Sequence, residues 1–142
     1  KVKRFEDDFK RYKNIQHAVA VNSCTAALHL SLVSLDLRQG DEVITTPMTF
    51  CSSVNAIIHA DATPVLADVN PNSMNIDPEK IEEKITKKTK CILPVHFAGR
   101  SCNMNAIMEI ADKNNLYVIE DCAHAIETKY HGRNAGRFGD LG

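Results

Sequence analysis

The sequence predicts an α/β protein with a three-layer α/β/α arrangement, in which helices cover both faces of a mainly parallel, mixed sheet. Short apolar runs alternate with helical segments of about 10–15 residues, as in units where a helix connects two parallel strands. Several runs are apolar throughout, which is typical of strands buried on both faces. The 142 residues fit one domain, and no repeat or long linker divides them.

The predicted elements follow one another in a regular order. Apolar residues at helical spacing predict an amphipathic helix over residues 3–13, and an alanine- and leucine-rich helix begins at residues 22–23. Asp77 and Pro78 predict a helix start, because Asp caps free amides and Pro suits the first helical position. An alternating tail with two glycines predicts a hairpin over 128–138. The second helix should reach about Leu37, the other predicted helices are 51–60 and 103–114, and the predicted strands are 18–21, 43–46, 63–68, 90–95 and 116–120.

Composition and charge argue against several classes of protein. The net charge of -1 is not that of a dedicated nucleic-acid binder, and no apolar run approaches the ~20 residues of a membrane span. Five cysteines lie in apolar segments without C-x-x-C spacing, which predicts reduced thiols in a cytoplasmic protein and no disulfide scaffold or zinc site. The chain opens in a charged helical segment without Met, so we expect both ends to be cuts through a larger protein.

Candidate ligand-binding residues follow the strands, where α/β sheets bind their ligands. The turn into the second helix contains Ser23, Cys24 and Thr25, whose free amides and hydroxyls suit a phosphate. Capping of the helix by Ser23 is the simpler interpretation of this turn. An aromatic residue, Phe50, follows the next strand and could stack on a heterocycle, although a place in the core is the commoner role. His96 follows a later strand, where a structural, hydrogen-bonded role is the better interpretation.

Two carboxylates and an imidazole gather where the apolar strand 116–120 ends. A buried Asp121 would need a cationic partner, and a protonated pyridine nitrogen is one such partner. Metal binding by Asp121, Cys122 and His124 is a weaker alternative, because their spacing matches no common zinc pattern. A nucleophilic pair of Cys51 with His124 is equally unsupported, since a free cysteine is usually just buried.

Taken together and in this order, these motifs closely resemble the sugar aminotransferases of the DegT/DnrJ/EryC1/StrS family, over nearly the whole chain. The resemblance implies a type I aminotransferase fold that binds pyridoxal 5'-phosphate, in sites completed across a homodimer. It also implies nucleotide-sugar and amino-acid substrates, in polysaccharide or antibiotic-sugar biosynthesis. The segments that resemble the family are Ala18–Leu30, Gly40–Phe50, Pro64–Val69, Asn75–Glu79, Pro94–Gly99, Glu120–Ala125, Gly132-Arg133 and Gly139-Asp140.

The resemblance further implies a role for five positions. Cys24 and Thr25 stand where the family binds the cofactor phosphate, and Phe50 stands where an aromatic ring stacks on the pyridine. Asp121 matches the aspartate that pairs with the ring nitrogen. His124 matches the Gln or His beside the phenolic oxygen. It implies no role that we would assign to Asn55 or Glu120.

This sequence departs from the family pattern in two ways. The family usually has Gly where this chain has Cys24, although the amide that binds phosphate is retained. The family's cofactor-bearing lysine follows a segment beyond Gly139-Asp140, so we expect residues 1–142 to be part of the cofactor-binding domain and inactive alone. A sugar dehydratase of the same family, with histidine in place of that lysine, stays an alternative, as does a cofactor-free binding or regulatory domain.

Overall fold

A computed structural model describes all residues from Lys1 to Gly142 and confirms the α/β class. The chain has five helices and six strands, which alternate from Cys24 to Val118, and a 3₁₀ turn lies at Phe97–Gly99. No helix has the length and apolar character needed to cross a membrane. In chain order the elements are α1 (Val2–Lys13), α2 (Cys24–Val33), β1 (Glu42–Thr45), α3 (Cys51–His59), β2 (Thr63–Leu66), α4 (Pro78–Lys84), β3 (Thr89–Ile92), α5 (Met104–Asn114), β4 (Tyr117–Val118), β5 (Lys129–Tyr130) and β6 (Arg133–Asn134).

The strands form one parallel sheet and one separate hairpin. The sheet has four strands in the order β2-β1-β3-β4, and every neighbouring pair is parallel. The predicted tail hairpin is confirmed, because β5 and β6 pair in antiparallel register. Since the four strands run the same way, their carboxyl ends share one edge of the sheet.

Side chains that alternate along the strands divide the core into two parts. On one face, Ile44 and Val118 pack with residues of α4 and α5. On the other face, their chain neighbours Val43 and Ile119 pack with residues of α2 and α3. Successive strand residues point to opposite faces of a sheet, so the pattern places a helical layer on each side. The predicted three-layer arrangement is therefore confirmed.

The starts of α2 and α4 follow the capping signals in the sequence. The Ser23 hydroxyl accepts a hydrogen bond from the Ala26 amide at 3.1 Å, and the Asp77 carboxylate accepts one from the Glu79 amide at 3.0 Å. The end of α2 was predicted too late, because the helix stops at Val33. Asp36 has a φ of 52°, which no α-helical residue adopts, so the backbone has already turned there.

The strand predicted over residues 18–21 is wrong. These residues belong to no strand, and the Val19 side chain is 81% exposed. The Ala20 amide donates to the Glu6 carboxylate of α1 at 2.9 Å, so a side chain takes the place of a neighbouring strand. Within residues 1–142, no strand lies beside this segment.

Strands β3 and β4 are shorter than predicted because a proline interrupts their ladder. Pro94 has no amide hydrogen to donate, but its carbonyl accepts from the Asp121 amide at 2.9 Å. Pairing resumes in an isolated parallel bridge between Val95 and Asp121. The interruption thus keeps the residues after β3 beside those after β4, at the edge where a ligand site was predicted.

Candidate functional site

A pocket of about 590 Å³ opens at the carboxyl ends of β1, β3 and β4. Its volume lies within the roughly 300–1,000 Å³ that is usual for small-molecule sites. All five residues singled out from the sequence line it, although they come from three separate parts of the chain. These residues are Cys24, Thr25, Phe50, Asp121 and His124.

Asp121 is a buried carboxylate in the wall of this pocket, with only 4% of its surface exposed. One oxygen, Oδ2, accepts from the Ser53 hydroxyl at 2.8 Å. The other, Oδ1, accepts from the Ala123 amide at 3.1 Å and from the Cys24 thiol at 3.8 Å. None of the ion pairs in the chain includes Asp121. A buried charge without a counter-ion is costly, so this pocket favours a ligand with a cationic group.

The start of α2 forms another part of the pocket and suits an anion. Ser23 caps the helix, as the simpler interpretation predicted, and its hydroxyl is already bonded to a helix amide. The amides of Cys24 and Thr25 have no acceptor within the chain. Free amides at a helix start carry partial positive charge and bind phosphate or carboxylate groups. The pocket therefore offers an anion site and a cation site at once.

Cys24 occupies the helix start without backbone strain. Its φ is not positive, so this turn does not require glycine. The thiol lies against Asp121, and burial, followed by the Asp121 charge, raises the pKa of Cys24 to about 11. Near neutral pH the thiol is therefore protonated and donates to the carboxylate. The amide stays available to a ligand, as expected from the sequence.

Two further residues of the pocket present side chains to a ligand. Phe50 is 75% exposed, although it is aromatic and lies directly before α3. His124 is also exposed and lies three residues after Asp121. An exposed aromatic ring at a pocket is available for stacking on a flat ligand. Phe50 thus lies outside the core, although core packing is the commoner role for an aromatic residue at this position.

His96 is buried and hydrogen-bonded through both ring nitrogens. Its Nδ1 accepts from the Cys102 amide at 3.1 Å, and its Nε2 lies 2.9 Å from a Glu120 oxygen. Because Nδ1 acts as an acceptor, the ring proton is on Nε2 and is donated to the carboxylate. The backbone amide of His96 donates to the Asp121 carbonyl at 3.2 Å. His96 therefore has the structural role that the sequence favoured, directly beside the predicted site.

Glu120 is a buried carboxylate to which the sequence assigned no role. Each oxygen accepts two hydrogen bonds: Oε2 from His96 and the Gly136 amide, and Oε1 from the amides of Phe138 and Gly139. Burial alone would raise the pKa of Glu120. The hydrogen bonds from His96, Gly139 and Gly136 outweigh burial and hold that pKa below its usual range. Glu120 thus fastens the segment after β6 to the strand end that carries Asp121.

The side chains close enough together to share a metal ion are His96, Glu120 and Cys122, not the trio considered from the sequence. Glu120 already accepts four hydrogen bonds, one of them from His96. Burial raises the pKa of the Cys122 thiol well above its usual range, which disfavours the thiolate that a metal needs. A metal ion here would have to disrupt bonds that hold the segment after β6.

No lysine lines the pocket. The one buried lysine, Lys13 of α1, donates instead to the carbonyls of Ile126 and Ala135. Burial lowers the pKa of Lys13. This chain therefore presents no lysine amine to a ligand in the pocket.

The fold and these contacts define an α/β protein whose pocket combines a helix start that has free amides with a buried carboxylate that forms no ion pair. The chain belongs to the DegT/DnrJ/EryC1/StrS aminotransferase family, whose sequence profile matches residues 1–142. Over 140 residues it is 52% identical to the spore coat polysaccharide biosynthesis protein SpsC of Bacillus subtilis, covering 99% of this chain and 36% of SpsC. It is 45% identical over 136 residues to the GDP-perosamine synthase of Caulobacter vibrioides, covering 96% of this chain and 37% of the synthase.

Solved structures show the same similarity. An aminotransferase from Psychrobacter cryohalolentis superposes with a TM-score of 0.95 at 46% identity, covering 97% of this chain and 35% of that one. The PLP-form of Spr1654 from Streptococcus pneumoniae, described as a putative sugar aminotransferase, superposes with a TM-score of 0.94 at 32% identity. The match covers 98% of this chain and 39% of Spr1654. The chain thus spans little more than a third of the length of these proteins.

Proposed function

We propose that this chain is part of the cofactor-binding domain of a longer sugar aminotransferase that depends on pyridoxal 5'-phosphate. The whole protein would transfer an amino group, donated by an amino acid such as glutamate, to a keto group of a nucleotide-linked sugar. The observation that supports this most directly is Asp121, a buried carboxylate in the pocket without a cation to pair with. A protonated pyridine nitrogen would be that cation.

The residues present suit this cofactor at each of its ends. The free amides of Cys24 and Thr25 would bind the phosphate, and the Thr25 hydroxyl would donate to it. Phe50 would cover one face of the ring, and His124 would contact the phenolic oxygen. When bound, the cofactor supplies an electron sink through its ring. Asp121 would keep the proton on the ring nitrogen, because its negative charge favours the protonated form.

The lysine of the proposed enzyme would lie beyond Gly142. The absence of lysine from the pocket supports this, as does the share of the relatives' length that the chain spans. That lysine would hold the cofactor and act as the general base in the proton shift. A histidine at that position would support the dehydratase instead, so the residue itself distinguishes the two.

The proposed enzyme is a homodimer in a reducing, cytoplasmic compartment. Five free thiols support the compartment, because none of them is paired in a disulfide. Exposed apolar side chains outside the pocket, Val19 and Leu30 among them, would be covered in the full-length protein by the rest of the chain or by a second copy. We expect light scattering on the full-length protein to give twice the chain mass, and on residues 1–142 to show association. A monomer in both measurements would contradict this proposal.

Absorbance spectroscopy tests the proposed cofactor. Pyridoxal phosphate added to the full-length protein should give a bound absorbance band that survives gel filtration. Thr25→Val should weaken cofactor binding by roughly tenfold, because one hydrogen bond to a charged group is lost. Ser34→Ala is the matched control, since its hydroxyl lies at the other end of α2 and bonds only the Ser31 carbonyl. A wild-type protein without the band would instead be the cofactor-free binding domain.

A further inference from the structure

We propose that Ser53 is a positioning residue of the site: it fixes the rotation of the Asp121 carboxylate, and Thr49 fixes the direction of the Ser53 hydroxyl. This inference rests on the proposed function. Ser53 is fully buried in the first turn of α3. Its Oγ lies 2.8 Å from Asp121 Oδ2 and 2.7 Å from Thr49 Oγ1. One hydroxyl therefore joins the pocket carboxylate to a residue that itself lines the pocket.

The direction of this chain of hydrogen bonds follows from the charge on Asp121. An ionised carboxylate can only accept, so the single hydrogen of Ser53 points at Oδ2. The Ser53 oxygen is then left as an acceptor for Thr49, whose hydroxyl must be the donor. The order is thus Thr49 to Ser53 to Asp121. A hydroxyl that is held as an acceptor from one side cannot easily turn its hydrogen away from the carboxylate.

The number of acceptor positions on the carboxylate shows what this arrangement achieves. A carboxylate has roughly four acceptor positions. Ser53 uses one on Oδ2, while the Ala123 amide and the Cys24 thiol use the two on Oδ1. About one position remains, on Oδ2, for a ligand in the pocket. Without Ser53, both lone pairs of Oδ2 would be free and the carboxylate would be held from one side only.

The position of Ser53 in the chain also links it to the ring-stacking residue. Phe50 lies three residues earlier, and its carbonyl accepts from the Ser53 amide at 3.1 Å. The start of α3 thus holds the exposed Phe50 ring and the hydroxyl that orients Asp121 in one rigid turn. Ser53 acts through Asp121 and touches no ligand, because its side chain is fully buried.

Removal of the hydroxyl tests the proposal in the full-length protein. We expect Ser53→Ala to raise the dissociation constant of pyridoxal phosphate about fivefold, in line with the loss of one orienting hydrogen bond. The pH midpoint of ring-nitrogen protonation, followed by the ¹⁵N chemical shift of labelled cofactor, should fall, because a poorly aligned carboxylate holds the ring proton less well. A rise in that midpoint would mean that Ser53 only reduces the charge density on Asp121, and would overturn the positioning role.

Thr45→Val is the matched control for Ser53→Ala. Its hydroxyl is equally buried and donates to the Leu93 carbonyl at 2.8 Å, but it makes no contact with Asp121. Both variants should lose stability in urea, while only Ser53→Ala should change cofactor affinity and the pH midpoint. Equal changes in cofactor affinity and pH midpoint in both variants would overturn the proposal, because the effect would then come from a general loss of protein stability.

A double-mutant cycle tests the order of the relay and does not depend on Ser53→Ala alone. Thr49→Val should change the pH midpoint in the same direction as Ser53→Ala but by less. The pH midpoint of the double variant should equal that of Ser53→Ala, because Thr49 acts through Ser53. Additive effects would overturn the relay. A wild-type protein that fails to bind the cofactor would contradict the proposed function itself, whereas normal binding with an unchanged Ser53→Ala contradicts only this inference.

Discussion

Asp121→Asn is expected to reduce turnover of the full-length enzyme by orders of magnitude while the protein still folds. Asparagine can direct its oxygen to the Ala123 amide and its amide group to Ser53. Without the carboxylate charge the direction of the relay is no longer fixed, so Ser53 can accept from asparagine and donate to Thr49. The local hydrogen bonds therefore survive. The charge that would keep the ring nitrogen protonated does not, and the loss of the electron sink should raise the barrier by several kcal/mol, at about 1.4 kcal/mol for each factor of ten.

Thermal stability and turnover measured on the same preparation separate catalysis from packing. If Asp121 had only a structural role, Asp121→Asn would lower the stability of the protein by about 1 kcal/mol, as the loss of a helix cap does. The rate per folded molecule would then stay the same. Asp68→Asn is the matched control, because this exposed carboxylate follows β2 and bonds only its neighbour's amide. Near-normal turnover in Asp121→Asn would end the assignment of a role in catalysis to this residue.

The sequence predicted the fold well where apolar runs and capping residues gave independent signals. The alternation of strands and helices, the capped start of α4 and the tail hairpin were all visible. The structure of segment 18–21 was not visible, because its apolar residues match a strand although the Ala20 amide donates to Glu6. Composition describes which residues tend to pair, but it does not show whether a partner strand lies beside them.

The sequence predicted the site residues that follow strands, but not the buried residues that hold them in place. Asp121 directly follows one predicted strand and Phe50 lies a short turn after another, so strand polarity placed both at one edge of the sheet. Nothing in the letters separated Ser53 from Ser52, because the rotation of α3 decides which hydroxyl faces Asp121. Glu120 was visible as a carboxylate at the end of a buried strand, but its partners come from the segment after β6, far along the chain.

Glu120→Gln is expected to destabilise the protein by about 2–4 kcal/mol, in the range for loss of a charge from a buried hydrogen-bonded network. Each carboxylate oxygen accepts two N–H groups, and glutamine has only one such oxygen. Whichever way its amide turns, an NH₂ group must face two donors. Urea unfolding of the full-length protein measures the loss. Glu82→Gln is the control, because Glu82 forms an exposed ion pair with Lys113 and should change stability little.

The destabilisation by Glu120→Gln should also depend on pH in a defined direction. The folded pKa of Glu120 lies below its ordinary value of 4.5, so the unfolded chain takes up a proton first as the pH falls. The stability gained from the lowered pKa is therefore complete above about pH 4.5 and is lost as the pH falls through the folded pKa. Glutamine does not titrate, so the stability difference between wild type and variant should be constant near neutral pH and shrink in acid. Unfolding free energies of both proteins, measured in urea from pH 7 to pH 3, test this. A difference that stays constant over the whole range would show that the charge on Glu120 does not stabilise the segment after β6.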